Sequence, residues 1–597
     1  MSRLNGLVPA ALVRPFIVLG GLLLLIGAML PWATFLLNDG AYPEKATLQF
    51  FDAPFEMTGY RWHVLLIGVA AVVLTFVPLP GKARAIRALG WGGLVVGVVN
   101  AVFIAGNGGG VGAITAADGA YAFGSIVTFI GGALVVLGAS SMKLGDIPHW
   151  PDSPFGLTGF GKRLAAWLVL LVAFAAVLWL VAQTLTAGGI GGAAFPYAGP
   201  IFLAFLGFAG GLLGALHGIG LTGWVSRLSE QHRPFSIIVL VACAIALPFP
   251  FTGAGSQYWM QVAATIGVYA ATAIGLNIVV GLAGLLDLGY VAFMGIGAFV
   301  AANLSGAAAS KIGWDLPFPV AALVAAVIAG IFGAIVGSPT LRVRGDYLAI
   351  VTLAFGEIFY KSAQNNIGEL TGGASGFAGV PPVSMFGTAF NEPVAPFGIK
   401  LPSGVLYYFM IVLVVAAVMA VFANLKNSRI GRAWIAIRED EDAARAMGIR
   451  TGKMKILAFL VGATLAGLAG AIFAHKLGTA SYDSFRFLES VTLLAAVILG
   501  GMGTIPGAVL GASLLFVLPE KLREFQDYRL FVFGLALILI MRFRPQGLVP
   551  DRVRRAEFAG ETPEGKSIEE IEEQRVLEQE EAEREHQAPT KPQEGRS

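Results

Sequence analysis

Apolar residues fall in blocks of about 15–25, the length that crosses a hydrocarbon core roughly 30 Å thick. The N-terminal blocks are residues 15–37, 63–79, 89–104, 121–137, 164–185 and 201–221. The polar links between them alternate in charge. Arg3 and Arg14 precede the first block, and residues 38–61 after it are mixed and slightly acidic. Lys82, Arg84 and Arg87 follow the second, Lys143, Lys162 and Arg163 the fourth, and Arg227 and Arg233 the sixth. The links after the third and fifth contain no Lys or Arg. Basic links mark the cytoplasmic side of a membrane protein, so the N-terminus is expected in the cytoplasm. The first block is too long for the core of a signal peptide and has no clear cleavage site; it reads as a retained helix.

From Phe235 the blocks shorten and carry more internal Gly: 235–251, 258–280, 290–304, 318–337, 347–360, 406–425, 455–475, 490–503, 508–518 and 530–541. Basic clusters again fall on one side, at Arg342 and Arg344, from Lys426 to Lys455, and from Arg542 to Arg555. The pattern predicts an all-α polytopic membrane protein with about 16 spans, some of them broken or half-helices, and both ends cytoplasmic. Residues 361–402 form the longest outside link. Residues 1–234 read as a membrane extension of about six helices, 235–550 as a second membrane domain, and 551–597 as a charged tail. That tail is dense in Glu and poor in aromatics, the composition of a disordered or solvated segment. Ser567 to Glu570 has the form of a capping box within it.

Composition agrees with this class. Apolar residues make up 56% of the chain and charged residues 13%, against about 25% charged in ordinary soluble domains; the mean hydropathy is +0.75. One cysteine, Cys243, rules out a disulfide framework and a thiolate cluster, and the six His show no metal-ligand spacing. No nucleophile–base pair, HExxH or GxSxG is present. Residues 156–162 (GLTGFGK) match a phosphate-binding loop in outline, but Arg163 follows where Ser or Thr would hold Mg²⁺, and no strand precedes it. Gly501-Met502-Gly503 resembles a dinucleotide turn, yet Pro506 takes the third glycine's place and no βαβ unit surrounds it. It reads as a break between two membrane segments.

One stretch differs from the rest. Residues 428–460, SRIGRAWIAIREDEDAARAMGIRTGKMKILAFL, place a charged segment between two apolar blocks. A helix is expected from Arg429 to Met447, with Ile430, Trp434, Ile437, Ala444 and Met447 on its apolar face. Arg438, Glu439, Asp440, Glu441 and Asp442 load the other faces, and Gly448 ends or bends it. From the residues alone, this is a handle that a soluble partner moves or a helix lying passively in the interface.

Asp442-Ala443-Ala444-x-x-x-Gly448 resembles the EAA signature of ABC importer permeases, with Asp in the Glu position. The signature's distal hydrophobic-Pro element is absent; Arg450 to Lys455 stands there instead. Further motifs resemble the core of the branched-chain amino acid permeases. They are Gly275-Leu276-Asn277 with Gly281-Leu282-Ala283-Gly284, Leu288-Gly289-Tyr290, Gly295-Ile296-Gly297-Ala298, and the run from Leu341 to Leu353 with Gly356-Glu357-Ile358. Thr371-Gly372-Gly373, Phe487-Leu488-Glu489-Ser490, the run from Leu499 to Thr504, and Arg544-Pro545-Gln546-Gly547-Leu548 continue the series. Over about residues 235–550 the chain resembles the LivM-type permease subunit of the branched-chain amino acid ABC importer family. The resemblance implies a coupling helix in which Arg438, Glu439, Glu441, Asp442, Ala443, Ala444 and Gly448 meet an ATPase. It implies a second permease subunit of the LivH type, two ABC ATPases that use ATP and Mg, and a periplasmic or extracellular substrate-binding protein. It also implies a bacterial inner-membrane location, with no cofactor bound by this chain itself. Permeases for urea and short-chain amides share much of the motif set.

Ionisable groups at mid-membrane cost about 2.5–3.5 kcal/mol on insertion scales, so each needs a reason. Glu357 either lines a path or pairs with a neighbouring helix or with Lys361, one turn on. Asp287 either caps the next segment or supports a broken helix, and Asn277 sits similarly at a Gly-rich helix end. Glu489 reads as a charge at a helix N-terminus. The Gly-rich breaks at Gly281 and Gly284, and at Gly500, Gly501 and Gly503, free backbone groups at membrane depth. Such backbone is tolerated only inside protein or along a cavity, so the breaks are the better path candidates. An intramembrane enzyme would need paired catalytic groups that this sequence lacks. A self-sufficient secondary transporter would need coupling-ion carboxylates in symmetry-related halves, and Glu357 has no such counterpart.

Overall fold

A computed structural model gives a chiefly α-helical fold among the described residues, with a few two-residue strands; these residues are chiefly 8–30, 60–104, 124–142, 159–186, 198–249, 255–341, 346–385, 387–395, 398–521 and 547–549. Among them, seven helices are long and apolar enough to cross a membrane, or eight if one bent pair counts as a single span. The other apolar helices have 10–17 residues. At 1.5 Å per residue, the 14-residue helix Val291–Leu304 reaches only about 21 Å. Most of the block 530–541 and the whole of the tail 551–597 lie outside the described residues.

The chain divides into two compact units. The first comprises Met1–Val262, Glu392–Val405 and Pro519–Asp527. Its helices are α1 (Ala10–Met29), α2 (Tyr60–Phe76), α3 (Lys82–Ile104), α4 (Gly124–Ser140), α5 (Gly159–Thr186), α6 (Ala198–Gly218), α7 (Leu221–Gln231) and α8 (Arg233–Ala246). α1 and α3 pack on α4, and α3 also packs on α6, around Ile17, Leu24, Ile67, Leu89, Val96, Val135 and Phe205. α6 and α7 are the bent pair, with 74° between them.

The second unit comprises Ala263–Asn391, Leu406–Leu518 and Tyr528–Ser597. Its helices are α9 (Gln257–Asn277), α10 (Val291–Leu304), α11 (Phe318–Gly337), α12 (Asp346–Gln364), α13 (Val405–Asn427), α14 (Arg429–Glu439), α15 (Glu441–Ala446), α16 (Thr451–Leu477), α17 (Phe487–Gly500) and α18 (Ile505–Lys521). α9 runs on into a π-helical turn, Ile278–Leu282, before the chain straightens towards α10. α16 is the central post, with α10 and α11 packed along it. Lipid offers no hydrophobic drive for helices to meet, so close backbone approach does that work. Gly297 of α10 lies so near the Gly467 backbone that a Cβ there would collide with it. The long link before α13 is tied to α16: the Tyr407 hydroxyl donates to His475 O and accepts from Val383 N, both at 2.9 Å.

One expected element is corrected. The helix read from Arg429 to Met447 is two helices, α14 and α15, because Asp440 leaves helical geometry (φ −154°, ψ 111°). Its carboxylate accepts from the amides of Asp442 and Ala443 at 2.8 and 2.9 Å, an N-cap that starts a new helix. The break shifts the helical phase. Trp434, Ile437 and Ala444 are buried as expected, but Met447 is 84% exposed rather than on the apolar face.

Gly297→Leu tests the α10–α16 approach. It is expected to cost about 1–3 kcal/mol through overpacking and to lower the thermal unfolding midpoint of the solubilised protein. Gly210→Ala, where a Cβ meets nothing within 4 Å, should leave the midpoint unchanged or raise it. Equal midpoints for Gly297→Leu and the wild type would contradict the packing.

Candidate functional site

The charged segment is fastened at many points. Ser428 caps α14, its hydroxyl accepting from Ile430 N and Gly431 N at 3.1 and 3.2 Å. A Cβ on Gly431 would strike the carbonyls of Leu425 and Lys426, so the turn out of α13 closes tightly only with glycine there. The fully buried Trp434 donates its indole N–H to Met454 O of α16 at 2.7 Å. Lys455 Nζ donates to Glu441 Oε2 at 2.6 Å, with the lysine side chain 5% exposed. Arg445 reaches the other oxygen of Glu441 at 3.2 Å. Gly448, at φ +86°, takes the left-handed conformation that ends α15 and turns the chain towards α16.

These contacts sort the expected coupling residues by face. Glu439, Asp442, Ala443 and Gly448 are exposed, and Met447 joins them as an apolar knob. Ala444 is buried and Glu441 is mostly covered by its cations. Arg438 turns inward. Its Nη1 donates to Gly281 O at 2.8 Å, and its Nε donates to Glu439 Oε1 at 2.9 Å.

The two Gly-rich breaks meet each other. The Asn277 side chain bridges them, Nδ2 donating to Thr504 O at 2.9 Å and Oδ1 accepting from Gly503 N at 2.8 Å. Lys426 Nζ, from the last turn of α13, donates to Gly503 O at 2.9 Å. The end of α17 is closed by residues 547–549: Leu548 N donates to Leu499 O and Val549 N to Gly500 O, both at 2.8 Å. The broken backbone thus finds its partners within the protein, as backbone buried away from water requires. Gly281, Gly284, Gly500, Gly501 and Gly503 belong to this junction.

Asp287 lies beyond the first break and is fully buried; its Oδ1 accepts from Gly289 N at 2.9 Å. Its Oδ2 has no hydrogen-bond partner among the described residues. Nearby backbone is held by side chains instead, Leu288 N by Thr352 Oγ1 at 3.0 Å and Val291 N by Ser490 Oγ at 3.1 Å. Glu357 stands apart from the junction. It is exposed on α12, on the face that carries Tyr347, Ile350, Ala354 and Ile358. Lys361 donates to Gln364 Oε1 at 3.0 Å rather than to Glu357. Glu489 sits in the first turn of α17, as its sequence position suggests. Sequence reasoning did not anticipate the bonds that Lys426, Trp434, Lys455 and Thr504 make. Only Lys426 had a local signal, a cation in the last turn of a helix; the partners of the others lie far along the chain or on another helix.

The family described as "Branched-chain amino acid transport system / permease component" matches residues 258–541. The high-affinity branched-chain amino acid transport system permease protein LivM of Escherichia coli (strain K12) is 39% identical over 334 residues, covering 54% of this chain and 76% of that protein. The chain belongs to the branched-chain amino acid permease family. The related permease BraD of Pseudomonas aeruginosa is 34% identical to this family member over 160 residues, covering 26% of the chain and 52% of BraD. LivH of Escherichia coli (strain K12) is 30% identical over 135 residues, covering 22% of the chain and 44% of LivH. No solved structure matches the chain. The charged segment, both breaks, Asp287 and Glu357 all lie inside the stretch that the family matches.

Lys455→Met should deprive the Glu441 carboxylate of its Nζ donor, loosening α15 from α16 by about 1–3 kcal/mol. Proteolysis within residues 439–450 of the solubilised protein is expected to speed up. Adding Glu441→Met should slow it again. A cleavage rate unchanged by Lys455→Met would contradict a structural role for the pair.

Proposed function

We propose that this chain is a permease subunit of an ABC importer that moves branched-chain amino acids across the bacterial inner membrane. The observation that carries this reading is the charged segment 428–450, capped at both helices and bonded to a helix break, in a chain of this family. It pairs with a second permease subunit of the LivH type, and the chain's own likeness to LivH suits two related halves. Two ATPase subunits bind and hydrolyse ATP with Mg, while this chain binds no cofactor and catalyses no reaction. A binding protein delivers the amino acid from outside. About 16 spans, counting broken ones, leave both ends in the cytoplasm. Residues 235–550 carry the importer function, 1–234 extend it within the membrane, and 551–597 form a solvated tail.

In this reading the ATPase docks on the exposed side of the segment: Glu439, Asp442, Ala443, Met447 and Gly448. The path runs along the broken backbone and Asp287. Glu357 supports a subunit or path face on α12. An exposed carboxylate on a spanning helix costs about 2.5–3.5 kcal/mol against lipid, so protein or water covers that face in the assembled importer.

Leucine uptake by cells carrying the whole importer tests the proposal. Isoleucine and valine should compete for it, and urea should not. Gly448→Asp adds a Cβ at φ +86° and a carboxylate at the C-terminal end of α15, where the helix dipole disfavours it. The variant should insert in the membrane and lose uptake, with Gly448→Ala keeping a larger share. Competition by urea alone, or full uptake with Gly448→Asp, would contradict the substrate class or the coupling role respectively.

A further inference from the structure

We propose that Arg438 is the positioning residue through which the docking segment moves the helix breaks, rather than part of the surface that grips the ATPase. The inference rests on the importer reading above and assigns the segment's inner face a separate task. The Arg438 side chain is 15% exposed, against 57% for its neighbour Glu439. Its guanidinium is held on one side by the Glu439 carboxylate and on the other by Gly281 O. Gly281 belongs to the π-helical turn after α9, where the regular α-helical ladder is interrupted, a form that occurs frequently at functional sites. Gly284, at φ +70°, presents its bare Cα to the Arg438 stem; a Cβ there would come within 3.0 Å of Arg438 Cβ.

The contacts continue without a gap. The bare face of Gly281 lies against the Asn277 side chain and Gly503 N, and Asn277 ties the first break to Gly503 and Thr504 of the second. Lys426 holds Gly503 O from the other end of the segment. Each break therefore has one carbonyl held by a cation, Gly281 by Arg438 and Gly503 by Lys426. A displacement of α14 reaches the first break through the charge-assisted Arg438–Gly281 bond, the strongest kind available to a neutral carbonyl, and the second break through Asn277. The exposed side of α15 is left for docking, while Trp434 and the Lys455–Glu441 pair keep the segment moving with α16 as one body.

The test uses the complete importer in liposomes, with both permeases, the ATPases and the binding protein. ATPase co-purification, ATP hydrolysis and leucine uptake are measured together. With Arg438→Gln the ATPases should stay bound, and the leucine imported per ATP should fall about tenfold or more. Arg438→Lys, which keeps a cation near Gly281 O, should recover part of it. Gly284→Ala, which wedges a methyl between the break and the Arg438 stem, should uncouple in the same way with Arg438 intact. If Arg438→Gln fails to insert, Gly284→Ala decides. Leucine per ATP at the wild-type value, or uptake lost only in proportion to ATPase lost from the complex, overturns the proposal. Absence of ATP-dependent uptake in the wild-type importer would instead overturn the reading beneath it.

Discussion

A backbone broken away from water must find its hydrogen bonds within the protein, and the second unit is arranged around that requirement at the buried breaks beside Asn277. Asn277 meets it most economically, since one side-chain amide serves a donor and an acceptor in a break more than 200 residues away. Residues 547–549 close the end of α17 by supplying amides to its last carbonyls. Lys426 and Arg438 each take one carbonyl more. Glycine is needed at Gly281 and Gly500 because other chain atoms occupy the space a Cβ would fill. Two breaks that would each be costly alone become one shared, satisfied junction.

The charged segment gains its meaning from that junction. A surface helix of this composition is ordinarily tied to nothing beneath it. Here Trp434 and Lys455 fix it to α16, and Arg438 fixes it to the π-helical turn after α9. The buried Lys455–Glu441 pair is weak evidence for stability as such, since desolvation offsets much of its attraction. Its effect is positional, because it ties Glu441 of α15 to Lys455 of α16.

Much of this was legible in the sequence. The α11 block was read residue for residue as 318–337, because a run of small and branched apolar residues between Pro317 and the basic link leaves little choice. The glycine breaks were found because glycine clusters at membrane depth have few other uses. The split at Asp440 was missed because the run from Arg438 to Asp442 looks like one charged helical face; only the Asp440 dihedrals show it capping a second helix. Met447 was misplaced for the same reason, as a helical period cannot be carried across a cap. The Asn277 bridge and the Arg438–Gly281 bond were out of reach, since both join residues more than 150 positions apart and no local pattern encodes them. Several of the apolar blocks are helices of 10–17 residues among the described residues, beside seven long enough to cross a membrane.

The central claim is that the motor lies outside this chain and acts on it through the segment. Reconstitution tests this most directly, by comparing leucine uptake into liposomes holding this chain alone with uptake into liposomes holding it together with its second permease, the ATPases and the binding protein. The account predicts uptake only in the complete set, dependent on ATP and indifferent to an imposed ion gradient. Gradient-driven uptake by the chain alone would contradict it.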